Sequence, residues 1–176
     1  MARRHLPPRL WLMTDERLGE RLLEAVARLP AHRAGIVFRH YRLLEHERRA
    51  LFEQVKRIAR RRGLMLLLAG PVAQARAWGA DGSHGCGRGG GRRLRTAPAH
   101  HLAEIRAAER AGASLVFLSP VFPTRSHPGI PALGPARFAR LARRTRLPVV
   151  ALGGMDAARA RKLRGAHGWA GIDAWT

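Results

Sequence analysis

Cysteine is almost missing from this chain: Cys86 is the only one in 176 residues. A single thiol makes no intramolecular disulfide and excludes a cysteine-cage zinc site. Lysine is nearly absent too, because 31 of the 33 basic residues are arginine and only Lys56 and Lys162 are not. Aromatic residues are 6% of the chain, too sparse for the stacking platform of a single-strand nucleic-acid binder. Acidic residues number 12 and leave a net charge of +21. No apolar run reaches the roughly 18 residues that a membrane helix needs. The opening MARRHLPPRLWLMTD is basic, but its prolines come before any signal-peptide core can develop. The expectation is a cytoplasmic protein with no membrane partner.

Hydrophobic residues make up 46% of the chain, which argues against disorder. The length suits one domain, 1–176, with a substantial core. The positive charge has two readings, a surface that tracks nucleic-acid phosphates and arginine solvated on outward helix faces. The second is preferred. The arginines are spread over the chain, and a mixture rich in alanine, glycine and arginine is what GC-rich codons write. Nucleic acid is therefore not the expected partner. A positive field still favours small anionic ligands, phosphates above all.

Short apolar runs alternate with helical patterns. The runs are Leu10–Thr14, Gly35–Arg39, Leu64–Ala69, Arg93–Thr96, Ser114–Val121, Pro148–Gly153 and Trp169–Trp175, with a shorter one at Gly82–His84. Between them Leu18, Leu22, Leu23, Val26 and Leu29 repeat at helical spacing, as do Leu51, Phe52, Val55 and Ile58. Leu102, Ile105 and Ala108 follow, then Phe138 and Leu141, and Asp156 stands as an N-cap for a helix reaching Leu163. Near-continuous apolar strands separated by helices are parallel strands covered by helices. Eight such runs predict an α/β fold, a (β/α)₈ barrel of short length without a full final helix. Periodicity alone does not separate this from a doubly wound open sheet. The uncovered end would expose apolar surface, which makes a homo-oligomer an expectation.

In such a barrel chemistry sits where strands end. Strand six runs into SPVFPTRSHPG, residues 119–129. Its Thr124 and Ser126 hydroxyls, with Arg125 and His127, suit a phosphate, although an ordinary proline-rich turn explains them as well. Strand seven ends in Gly153-Gly154 before a helix, where backbone amides approach an anion. His100 and His101 follow strand five, and a histidine there can exchange protons near neutral pH. The glycine run GCGRGGG lacks the lysine and hydroxyl of a P-loop, and Cys86 within it has no positioned base.

Residues 115–154, LVFLSPVFPTRSHPGIPALGPARFARLARRTRLPVVALGG, resemble the thiamine-phosphate synthases and their relatives, the TenI-type thiazole tautomerases. Weaker echoes are LWLMTD at the start, GADG at 79–82 with His84, and GAHGWAGIDA at 165–174. The resemblance implies a (β/α)₈ barrel of thiamine biosynthesis that acts on or binds thiazole phosphate. In the synthase a pyrimidine pyrophosphate is joined to thiazole phosphate and pyrophosphate is released, assisted by Mg²⁺. The resemblance places phosphate contacts at Arg39, Thr124, Ser126, His127, Gly153 and Gly154, and the tautomerase acid/base at His100.

The chain departs from the pattern where the metal would sit. The family's Asn-Asp pair after strand three reads Ala69-Gly70 here, and the second metal aspartate falls near Gly89. Magnesium prefers carboxylate oxygens, so no metal ligand is assigned. A serine on strand eight becomes Asp173, whose charge would repel a phosphate unless a cation intervenes. The alternatives are a metal-independent tautomerase and a non-catalytic descendant that binds a small phosphorylated metabolite.

Overall fold

A computed structural model describes residues 6–85, 93–125 and 129–175. Eight parallel strands close into a barrel in sequence order. They are β1 (Leu10–Met13), β2 (Ala34–Phe38), β3 (Met65–Ala69), β4 (Gly82–His84), β5 (Leu94–Ala99), β6 (Leu115–Leu118), β7 (Val149–Ala151) and β8 (Gly168–Gly171). Closure is explicit in the register, which pairs Leu10 with Trp169 and Leu12 with Gly171. The open-sheet alternative is thereby excluded.

The connecting helices are α1 (Leu22–Arg28), α2 (Glu45–Arg61), α3 (Val72–Ala77), α4 (Leu102–Arg110), α5 (Gly134–Ala142) and α6 (Ala157–Lys162). In α2 the buried face is Phe52, Val55 and Ala59, with glutamates in the first turn and arginines in the last, as the helix dipole favours. The helix expected across residues 18–29 is split. A 3₁₀ segment, Glu16–Arg21, breaks at Gly19 (φ +48°, ψ −131°) before α1 begins. The pattern did not foretell α3, because it is six residues long and buries only Ala75. Strands six and seven stop sooner than their apolar runs: pairing ends at Leu118 and Ala151, and the remaining apolar residues line loops. After β8 the described chain makes a 3₁₀ turn, Asp173–Trp175. There Trp175 stacks on Trp169 with ring centroids 5.0 Å apart and donates its indole N–H to the Trp11 carbonyl at 3.2 Å.

The barrel interior is built around Trp11 of β1. It meets Phe117 of β6 edge-on at 5.4 Å, and Phe117 meets His84 of β4 at 5.2 Å. Side chains from strands so far apart in the barrel order touch only through its centre. Gly35, beside Trp11 in register, must lack a side chain, since a Cβ there would lie 2.3 Å from the indole. Gly35→Ala is expected to lower stability by roughly 1–3 kcal/mol through overpacking, read as a reduced urea midpoint.

His84 is buried and pairs through Nδ1 with the Thr96 hydroxyl at 2.9 Å. Burial, with Arg39 adding to it, pushes its pKa down to about 4. The ring is therefore neutral in the fold but protonates near 6.5 in the unfolded chain. Between those values the unfolded state binds more protons, so stability is lost as pH falls from about 6.5 to about 4, by on the order of 3 kcal/mol. Urea midpoints across this range should show that slope, and His84→Gln should flatten it.

Candidate active site

The C-terminal ends of the strands surround a cavity of about 450 Å³. Its wall draws on Arg39 after β2, His100 after β5, Thr124 in the loop after β6, Gly153 and Gly154 after β7, and Asp173 after β8. Five of the seven residues singled out in the sequence thus meet in one hollow. Ser126 and His127 lie outside the described residues, as does Cys86.

Two glycines weld the tips of β6 and β7 together. Gly153 has φ +92°, and a Cβ on it would fall 2.7 Å from Pro120 Cα; Gly154 has φ +59°, and its Cβ would fall 2.5 Å from the Pro123 carbonyl oxygen. Side chains are excluded there both by conformation and by space. The contact is sealed by Val121 N–H to the Leu152 carbonyl (2.9 Å) and Phe122 N–H to the Gly153 carbonyl (3.0 Å). No backbone acceptor among the described residues engages the Gly153 and Gly154 amides. The helix start that the sequence offers to an anion is taken, however: Asp156 caps α6 with its own carboxylate, accepting from Arg159 N–H at 2.8 Å. Arg159 also donates to the Gly154 carbonyl and lies over the Phe122 ring at 4.9 Å.

Arg39 is held by the segment just after β1. Its Nε donates to the Thr14 carbonyl at 2.7 Å, its Nη2 to Asp15 at 3.0 Å, and its backbone N–H to the Thr14 hydroxyl at 2.9 Å. Burial pulls the Arg39 pKa below the usual arginine value, and Asp15 opposes that pull. Burial alone would raise the Asp15 carboxyl, but hydrogen bonds from Arg17 and the charges of Arg17 and Arg39 carry it below its ordinary value. Thr14 is fully buried and also pairs with His40 Nδ1 at 3.0 Å. Thr14 and Asp15 stand in the LWLMTD stretch, whose likeness to the family opening was visible although its role as an arginine cradle was not.

His100 is oriented for proton exchange. Its Nδ1 lies 2.8 Å from the Ser119 carbonyl oxygen. A carbonyl only accepts, so Nδ1 carries the hydrogen and Nε2 is the basic nitrogen of the neutral ring. His101 instead caps α4, accepting from Glu104 N–H at 3.4 Å.

The residues present do not fit magnesium. The tip of β3 is Ala69-Gly70, and an arginine that the sequence reading missed occupies its edge. Arg48 of α2 donates to the Ala69 carbonyl at 2.7 Å and to the Arg39 carbonyl at 3.0 Å. Its guanidinium lies 5.9 Å from the Phe38 ring centre and 5.4 Å from that of Trp78. Among the described residues no three His, Cys, Asp or Glu side chains group as a metal site. The charge of Asp173 is met by Arg125, whose Nη2 is 3.0 Å from Oδ2. The pair joins the β6 loop to the end of β8. Arg137 of α5, also missed, is a further cation on the cavity wall. Asp173→Ser removes the local negative charge and should tighten phosphate binding about two- to fivefold, the scale of one exposed ion pair, as measured by calorimetric titration.

Among the described residues no helix is long and apolar enough to cross a membrane. The family model described as "Thiamine monophosphate synthase" matches residues 10–175. A thiamine-phosphate synthase of Salinispora arenicola (strain CNS-205) is 33% identical, over 94% of this chain and 88% of its own length. A thiamine-phosphate synthase of Geobacillus thermodenitrificans (strain NG80-2) is 34% identical, over 63% of this chain and 55% of its own. The solved thiamine phosphate pyrophosphorylase from Pyrococcus furiosus superposes with a TM-score of 0.79 at 24% identity, covering 96% of this chain and 86% of that one, which speaks for the fold. With the match running from β1 to the last described turn, the chain belongs to the thiamine monophosphate synthase family.

Proposed function

We propose that this protein acts on a phosphorylated thiazole in thiamine biosynthesis, by the synthase-type reaction that couples it to a pyrimidine pyrophosphate and releases pyrophosphate. The observation that carries the reading is the convergence of Gly153, Gly154 and Thr124 with Arg39 and His100 on one cavity. Glycine amides and a hydroxyl suit the phosphate, and Arg39 supplies positive charge beside it. A small phosphorylated metabolite is then the partner, and the cytoplasm is the place of action. Placement of Ser126 and His127 on the same phosphate is part of the proposal.

A second reading has its own support. His100, with Nδ1 fixed on the Ser119 carbonyl at 2.8 Å, presents one basic nitrogen, as isomerisation of a thiazole by proton transfer requires. That reaction needs no metal. It therefore suits a strand-three tip that reads Ala69-Gly70, with no carboxylate, and that accepts a hydrogen bond from Arg48 of α2.

Both readings are tested on the purified full chain. Thiazole phosphate is supplied with the pyrimidine pyrophosphate, with and without Mg²⁺, and separately the unisomerised thiazole is supplied in EDTA. Coupled product supports the first reading, and isomerised product alone supports the second. Under the second, His100→Gln should slow turnover by about 10²–10⁴ while leaving calorimetric binding of thiazole phosphate within about twofold. Binding without turnover in any arm overturns both reactions in favour of a non-catalytic binder, and absence of binding overturns the substrate class.

A further inference from the structure

We infer that the cavity holds the phosphate or diphosphate of its ligand with three guanidinium groups, those of Arg39, Arg125 and Arg137, and needs no divalent cation to do so. The inference rests on the reading above, that the ligand is phosphorylated.

The carboxylate inventory is complete, because all 12 acidic residues of the chain fall within the described segments. Asp173 is the one acid that lines the cavity, and Arg125 holds it at 3.0 Å. The other acids near the strand tips are also engaged. Asp15 bonds Arg17 and Arg39, Glu16 accepts from Arg42 N–H at 3.1 Å, Glu104 accepts from His100 N–H at 2.5 Å, and Asp156 caps α6. A magnesium ion demands near-ideal octahedral oxygen ligation and holds to carboxylates first. Here it would have to strip one from an arginine or an amide. At the tip of β3 it would also meet the fixed positive charge of Arg48, whose donors are committed to the Ala69 and Arg39 carbonyls.

The positive charge that an anion needs comes instead from three separate parts of the chain. Arg39 stands after β2, with Nε and Nη2 committed to Thr14 and Asp15. Arg125 stands in the β6 loop. Arg137 projects from α5, and among the described residues no carboxylate pairs with it. Guanidinium groups stay charged at any working pH and present paired donors that match phosphate oxygens. Arginines disposed around a hollow of about 450 Å³ can therefore do electrostatically what a metal ion does elsewhere, without its ligand geometry.

The test is calorimetric titration of the full chain with inorganic pyrophosphate at matched ionic strength, once in EDTA and once in excess Mg²⁺. Binding in EDTA should be at least as tight as in Mg²⁺. Arg137→Gln should weaken it roughly tenfold, the scale of one charge-assisted contact. Arg140→Gln, an exposed arginine of the same helix outside the cavity wall, should leave it unchanged. Pyrophosphate that binds only with Mg²⁺, or tenfold tighter with it, overturns the inference. So does an equal loss in both variants, which would signal attraction to the general charge of the surface. If thiazole phosphate binds or turns over but pyrophosphate does not bind, the arginine site falls and the proposed function stands. If pyrophosphate binds without metal and thiazole phosphate neither binds nor reacts, the reverse holds.

Discussion

The backbone after β7 lies so close to the loop after β6 that there is no room for a methyl group at Gly153 or Gly154. This approach governs the rest of the site. The loop that it holds carries Thr124 and Arg125 to the same cavity wall as the two glycines, and Arg125 reaches Asp173, just after β8, at 3.0 Å. Ser119, the residue before Pro120, offers the carbonyl that orients His100. A steric constraint between two backbones thus supplies preorganisation of the kind that the proposed binding and proton transfer would use.

The electrostatics of the cavity follow from a shortage of acid as much as from an excess of base. With so few carboxylates, each one near the strand tips is consumed in holding a cation or an amide, and none is left over as a metal ligand. Arg39 shows the pattern most fully. Thr14 and Asp15 take up two of its nitrogens and fix the guanidinium in place, so little rotamer freedom remains to be lost when an anion arrives. Arg48 extends the same logic behind it, tying the tips of β2 and β3 together through their carbonyls.

Most of the barrel could be read from the chain because alternation of apolar runs and helical periodicities is a local property. The exceptions have physical reasons. The helix α3 is too short to show a period, and the 3₁₀ break at Gly19 depends on one backbone conformation. Strands six and seven were overestimated because the apolar runs continue into loop residues, Val121 fully buried and Leu152 partly so, that pair differently from strand residues. At the site, the glycine pair and Thr124 were legible as motifs. Arg48 and Arg137 were not, since they sit on helices among many solvated arginines and nothing local distinguishes them. The helix start after Gly154 was legible but misleading: Asp156, recognised as a cap, satisfies the very amide that an anion would have used.

Trp169 of β8 stacks on Trp175 of the turn that follows, and the residues between them, Ala170 through Ala174, form one wall of the cavity. The seam that completes the cylinder and the surface that meets the ligand are therefore the same short stretch of chain. Occupancy of the hollow and integrity of the seam are thermodynamically coupled, because whatever fills one braces the other. Amide exchange along residues 168–172 would register a bound guest as slower opening of the staves, even for a guest that touches few of them directly.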